Sequence, residues 1–474
     1  MSKAITAGTA AVTLALLSGA ALADDMVYAG FPVTVKGYSG SKTTSVSYTG
    51  QIARHVLHDS LKKLAGSGNG KPNPELKAKM MAYFGGKDAG REIIAPATKG
   101  PFAISQSAVD DISKGKNLSG KTFEAAVTGM PNGMIGPELV EFWIDKASSA
   151  DKGFDKDNGY DYPQLISKYV MGAVFYNQAA DGYLDEYLSA DKKPNDKPYK
   201  DGAAYTGKEH SWDEAFGYFG TPAHTLKLTP KQVYGIAKRK SEAFADADYN
   251  KDGKVDLRTE MTFGPAYYAA GFDASVYDRS NGTNYLHTIT KAFLDGRKLL
   301  TDAKGEKLTD EQRDRLKRHA SVITQNWEKV LAEATFKYAG SVYKDMVKLQ
   351  TITESNGDPS KQFRKYVKHW GELKGFALAL QSGKNNLGET ATRLNRLIGA
   401  GPLLLNASQV VDIDSQGNYV RDQGPDWGEY MLHMAKVQKL MIDQFGVQAR
   451  NNDVTQEMQD LARSLGDRSS AEND

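Results

Sequence analysis

The 474-residue sequence contains no cysteine. That removes disulfides, thiol catalysis and thiolate metal sites at once. A transition metal in this chain has to use His, Asp, Glu, Tyr or Asn. Charge of either sign is not in excess: 60 Lys and Arg face 58 Asp and Glu. A near-neutral chain gives no electrostatic reason to invoke nucleic acid or an anionic membrane. Long apolar runs are also missing beyond the first two dozen residues, so no transmembrane segment is expected in the mature chain. Alternating strand patterns are few.

The one apolar run stands at the start, MSKAITAGTAAVTLALLSGAALADD. Lys3 gives a positive start, an apolar core runs through Leu17, and Ala21-Leu22-Ala23 precedes Asp24. This is the pattern of a secretory signal peptide over residues 1–23, cleaved after Ala23, and it predicts an exported, periplasmic protein. Without disulfides such a protein must rest on its core, and the remaining length suffices for one.

From Gly50 onward the period is helical. Ile52, Val56, Leu57, Leu61 and Leu64 recur at three- and four-residue spacing. Further helical stretches are read at 74–84, 137–148, from Tyr162 through Leu188, and at 229–245, 284–300, 309–339, 359–382, 388–398 and 426–446. A hairpin is read at 409–420 with its turn at Ser415-Gln416-Gly417. The expected fold is all-α: a helical bundle of two pseudo-repeated halves, 24–225 and 271–467, around an EF-hand-like loop region at 226–270, with a disordered tail at 468–474.

The repeat rests on two stretches. EHSWDEAFGYFG (Glu209–Gly220) and KHWGELKGFALAL (Lys368–Leu380) share Trp-x-Glu-x-x-Gly-aromatic, with Trp212, Glu214 and Gly217 falling on Trp370, Glu372 and Gly375. A histidine precedes each tryptophan, His210 in one and His369 in the other, offset by one residue. On a helix, His210 lies one turn from Asp213 and Glu214, and His369 one turn from Glu372. A histidine and a carboxylate so placed can share a cation, with iron or zinc suiting the donor set better than calcium. The candidate metal residues are therefore Glu209, His210, Asp213, Glu214, His369 and Glu372. The same spacing also makes plain ion pairs and buried hydrogen bonds, and short patterns recur by chance, so both readings stand. Trp212 and Trp370 are expected as core anchors, and Gly217 and Gly375 as points of close helix approach. Arg297 is a candidate anchor for a buried carboxylate such as Glu328, beside Trp327. A zinc-protease signature is absent, because His210 is followed by Ser211 with no second histidine on its helix.

DADYNKDGKVDLRTE is a second candidate site. Asp248, Asn250, Asp252 and Gly253 occupy positions 1, 3, 5 and 6 of a calcium loop, the Lys254 carbonyl position 7 and Asp256 position 9. Position 12 is Thr259, and Glu260 comes one residue late. The alternative is a solvated turn between helices. DKDNGYD at 155–161 is read as a turn that caps the helix starting near Pro163.

VSYTGQIAR, YPQLISKYVMGAVFYNQ, YTGKEHSWDEAFGYFG, KAFLDGRKLL, NWEKVLAEA and HWGELKGF resemble, in order, segments of domain-of-unknown-function family 4856, a family of exported bacterial proteins. A more distant similarity is to imelysin-type periplasmic proteins, which are helical, built from two related bundles and tied to iron uptake through a Gly-x-His-x-x-Glu motif. Here Lys208 replaces the glycine, Asp213 replaces the glutamate and Glu214 follows one residue later. The resemblance implies a non-catalytic metal-binding protein of iron or other metal acquisition, with an outer-membrane receptor as partner. Two other classes compete: a metal-dependent hydrolase, and a nutrient-capture or scaffolding protein paired with such a receptor.

Overall fold

The computed structural model describes residues 26–280, 282–383 and 387–466. The expected signal peptide and the expected tail from Arg468 lie outside them. The fold is all-α. Fourteen α-helices and two two-stranded hairpins are present among the described residues. None of these helices is long and apolar enough to cross a membrane.

The backbone of the fold is α10 (Asp310–Glu354), which starts at a Thr309/Gln312 capping box. At about 1.5 Å per residue it spans roughly 68 Å. Leu316, Ala320, Ile323, Trp327, Val330 and Leu331 put one face into the core. Sequence periodicity ended this helix near 339. It runs on because Val342, Met346 and Leu349 keep the buried spacing past Gly340. α9 (Tyr285–Asp302), α11 (Ser360–Ala379) and α13 (Trp427–Phe445) pack along it.

α4 (Tyr162–Val170) lies against α11 and against α1 (Thr49–Ala65). Asp161 caps α4, its carboxylate accepting from Gln164 N at 3.2 Å. Beyond Val170 the helix widens into π geometry over Met171–Tyr176 and Gln178–Tyr183. Such turns are usually single and frequent at functional sites. This one carries Phe175, Tyr176 and Tyr183 into the core and packs against α5 (Gly207–Phe219).

The remaining helices complete the shell: α2 (Pro74–Phe84), α3 (Gly136–Ser149), α6 (Pro230–Lys238), α7 (Phe244–Ala247), α8 (Gly264–Ser275), α12 (Gly388–Ile398) and α14 (Met458–Leu465). The helix expected over 229–245 stops at Arg239, which takes a left-handed φ of 51°. The late hairpin pairs β3 (Ser408–Ile413) with β4 (Tyr419–Gln423) around Gly417 at φ 78°. A shorter one pairs β1 (Phe154–Asp155) with β2 (Tyr160–Asp161). Buried apolar side chains from both halves of the chain join one contiguous core.

Candidate functional site

α5 begins at a Thr206/Glu209 capping box and ends at Gly220, φ 73°. It divides its polar residues between two faces. On the inner face Glu209 and Asp213, one turn apart, meet the guanidinium of Arg297 from α9. Nη1 lies 2.9 Å from Glu209 Oε1, and Nε lies 2.9 Å from Asp213 Oδ1. All three side chains are fully buried. Tyr28 and the Ser47 amide donate to Asp213 at 2.8 and 3.0 Å, and Thr34 donates to Glu209 at 3.0 Å. Burial pushes the Asp213 carboxyl up to about 6, and Arg297, Tyr28 and Ser47 oppose it. The cluster ties the entry segment 28–48 to two helices. Arg297 thus anchors Glu209 and Asp213, where the sequence had suggested Glu328. Glu328 instead borders a cleft with Tyr176 and Lys317, and the Trp327 ring packs on Tyr176 and Phe219.

The outer face carries His210 and Glu214. His210 Nε2 lies 3.7 Å from Glu214 Oε1, with side chains 13% and 21% exposed. Gln51 of α1 donates to Glu214 Oε1 at 2.7 Å. The imidazole sits between Tyr199 and Tyr205, ring centroids 4.2 and 4.6 Å away. The ring also meets the Ser47 backbone. Burial lowers the His210 pKa, and the Glu214 charge acts against that. Tyr183, from the π segment, is raised well above the ordinary tyrosine value by burial, with Tyr218 and Glu214 adding to it. Facing Glu214 are Arg54, Lys116 and Lys121. Burial, and then Arg54, pulls both lysines below their ordinary value, while Glu214 holds them up. The result is a partly exposed cluster of phenols, one imidazole and one carboxylate, with Lys116 and Lys121 within electrostatic range of Glu214.

The second sequence copy has different partners. His369 Nδ1 is 2.5 Å from Asp345 Oδ2 of α10, and Lys365 is 3.4 Å from the same carboxyl group. Glu372 lies 4.0 Å from Lys168 Nζ of α4. Lys168 is held well below the ordinary lysine value by burial and then by Lys62, with Glu372 opposing. Its ammonium lies over Tyr268 and Phe376. The two His/Glu motifs share no partner, so His369 and Glu372 do not complete the His210 cluster. Their scaffolding residues do correspond. Trp212 donates to Phe293 O at 2.8 Å, and Trp370 donates to Tyr430 OH at 2.9 Å. A Cβ on Gly217 would meet Tyr48 Cβ at 2.8 Å, and one on Gly375 would meet Lys168 Cβ at 2.6 Å. Each glycine marks a helix crossing.

The Asp345 carboxyl gives a pH prediction. Burial alone would raise its pKa, but the His369 hydrogen bond and charge, with Gln362 and Lys365, lower it. A lowered acid stabilises the fold above its unfolded pKa and loses that contribution as pH falls through the folded value. Asp345→Asn is therefore expected to unfold more easily than wild type at pH 7. In urea titrations the gap should close as pH drops below about 4.

In the calcium-type loop, Asp248 accepts from the amides of Asp252 and Gly253, both at 3.0 Å. Asn250 and Asp252 accept from the amides two residues on. Gly253 takes φ 84°. Glu260 does reach back, accepting from Asn250 N at 3.2 Å and Asp256 N at 2.7 Å. Asp256 turns away to Arg258, 2.6 Å distant. Val255 is bridged to the 103–105 segment, which fixes the loop from outside. The 155–161 turn is held in the same way, Asp155 accepting from Asp157 N and Asn158 N.

The sequence reading passed over His58, Asp59 and Ser167. His58 Nδ1 is 3.0 Å from Asp59 Oδ1, and Nε2 is 3.1 Å from Ser167 Oγ. The distances match a nucleophile–base–acid relay. Yet Ser167 is fully buried inside α4, and its carbonyl takes the same Nε2 at 3.0 Å. The group is an interhelical tie. RHVLHDS in α1 carried the signal, a histidine beside an acid. Among the described residues no three His, Cys, Asp or Glu side chains converge as a ready-made metal cluster.

Residues 143–251 match the family described as a domain of unknown function (DUF4856), and the chain carries that domain. The span contains α4, the π segment, α5 and the start of the calcium-type loop. It includes His210 and Glu214 but neither His369 nor Glu372. No curated protein and no solved structure matches the chain.

Proposed function

We propose that this DUF4856 protein is a metal-binding protein of the acquisition type, exported and non-catalytic, with its metal held at the His210–Glu214 pair. The carrying observation is that pair: an imidazole and a carboxylate 3.7 Å apart, both partly open. The Ser47 backbone contact supports the fit, because it holds the ring with Nε2 toward Glu214. So does the way Glu209, Asp213 and His369 are already spent on Arg297 and Asp345. A carboxylate, an imidazole and nearby phenols make a hard donor set that favours ferric iron over zinc. His210 and Glu214 would hold the ion, with Tyr183 and Gln51 beside them. Arg54, Lys116 and Lys121 would suit an anion that accompanies it.

Those cations also favour a second reading, capture of an anionic nutrient without metal. Titration with ferric citrate and with citrate alone separates the two. The metal reading expects iron from ferric citrate to stay with the protein after citrate is removed, and to be lost in His210→Ala. Saturable binding of citrate alone, equal to that of ferric citrate and with no iron retained, would favour the second reading and count against the first. On the export proposal, the secreted form begins at Asp24 by mass spectrometry; an intact Met1 species in the membrane fraction would refute it.

Calcium is proposed for the 248–260 loop in a structural role, since Asp248, Asn250 and Asp252 are already arranged around Gly253. Calcium should then raise the melting temperature, because it binds only the folded loop. Asp248→Ala should abolish the rise. Identical melting curves in calcium and in EDTA would make the loop a plain turn.

A further inference from the structure

Away from the His210 cluster, α11 displays Lys361, Arg364, Lys365 and Lys368 at i, i+3, i+4 and i+7, which places them on one stripe. They line a cleft of about 430 Å³, together with Lys152, Gly66 and Pro163. Lys365 reaches Asp345, 3.4 Å away, and Arg364 lies over the Phe154 ring. Lys152, Lys361 and Lys368 have no carboxylate within salt-bridge distance among the described residues. Four like charges over two helical turns cost helix stability, and Asp345 and Asp161 offset only part of them.

The cleft also has a polar floor. Asp161 and Gln164 line it and are 6% and 8% exposed. The Gln164 side-chain oxygen has no hydrogen-bond partner. Leaving such an acceptor unpaired is costly, and a ligand donor would satisfy it. Asp161 spends one oxygen on the Gln164 amide at the start of α4. Cations around the rim and hydroxyl acceptors on the floor select a ligand with both an oxyanion and hydroxyls.

We propose that this cleft binds a small phosphate or sulfate ester of a sugar, with the oxyanion on the α11 stripe and Lys152 and the hydroxyls on Asp161 and Gln164. The site is independent of the iron reading and shares no residue with it.

Calorimetry on the full chain at fixed ionic strength tests this with glucose 6-phosphate, inorganic phosphate and glucose as probes. Glucose 6-phosphate should bind saturably and more tightly than phosphate, and glucose should not bind measurably. Lys361→Glu with Arg364→Glu, one exposed and one half-buried side chain, should weaken glucose 6-phosphate by at least about tenfold with the fold retained by circular dichroism. Gln164→Leu should reduce it to the level of phosphate, with circular dichroism confirming the fold. No saturable binding of glucose 6-phosphate, or unchanged binding in the double charge reversal, would overturn the proposal. So would sedimentation of wild type with phosphatidylglycerol vesicles without glucose 6-phosphate binding, since the stripe would then be a lipid-headgroup surface.

Discussion

Arg297→Met is expected to destabilise the protein by about 3–5 kcal/mol, the range for removing one partner of a buried ion pair. Two carboxylates, Glu209 and Asp213, depend on this one guanidinium, and none of the three side chains reaches solvent. Without it, burial already pushes Asp213 toward protonation, and its remaining donors, Tyr28 and Ser47, are neutral. Arg297→Lys should recover only part of the loss, because a single ammonium cannot present the two separate donors that Nε and Nη1 supply. The triple variant Arg297→Met, Glu209→Gln, Asp213→Asn should regain more than Arg297→Lys, since no uncompensated charge stays buried. Urea unfolding followed by circular dichroism measures all three. A loss below about 1 kcal/mol for Arg297→Met, the scale of an exposed pair, would show that the cluster is hydrated and only weakly coupled.

Trp212→Ala is expected to cost about 3–5 kcal/mol through the cavity it leaves. The ring is fully buried against α9, edge-on to Phe293, and its indole N–H donates to the Phe293 carbonyl. The Phe293 carbonyl keeps its helical partner within α9, so the lost indole hydrogen bond adds only about 0.5–1.5 kcal/mol. The contact is close on both sides. A Cβ on Gly296 would lie 2.1 Å from Trp212 Cζ2, so Gly296→Ala should destabilise as well, by about 1–3 kcal/mol through overpacking. Trp212→Ala combined with Gly296→Ala should cost less than the sum of the two, because the cavity admits the new methyl. Strict additivity in thermal unfolding would mean that the two residues do not share a packing surface.

Local signals in the sequence carried much of the fold. Thr206-x-x-Glu209 and Thr309-x-x-Gln312 mark helix starts that the structure caps with those side chains. The turn at Gly417 and the capping role of Asp161 were legible for the same reason: both are decided within four residues. Partners across the chain were not. Arg297 is 84 residues from Asp213 and 88 from Glu209, and no periodicity links them. Glu328, on the next helix, borders a different cleft with Tyr176 and Lys317. The π segment was read as ordinary helix because apolar spacing of three to four does not report a widened turn. The histidines show the same limit. One-turn spacing put an acid beside each, but Asp345 from another helix claims His369. Only His210 keeps its expected neighbour, Glu214.

The most direct test of the metal account is the iron bound per chain after loading with ferric iron and removing the excess, in wild type, His210→Ala, Glu214→Ala and His369→Ala. The account predicts one ion in wild type and in His369→Ala. It predicts none in His210→Ala or Glu214→Ala, with helical circular dichroism retained in all four. A wild type that takes up no iron, or His210→Ala and Glu214→Ala variants that keep it, would contradict the account and leave the pair as the charged edge of an aromatic helix.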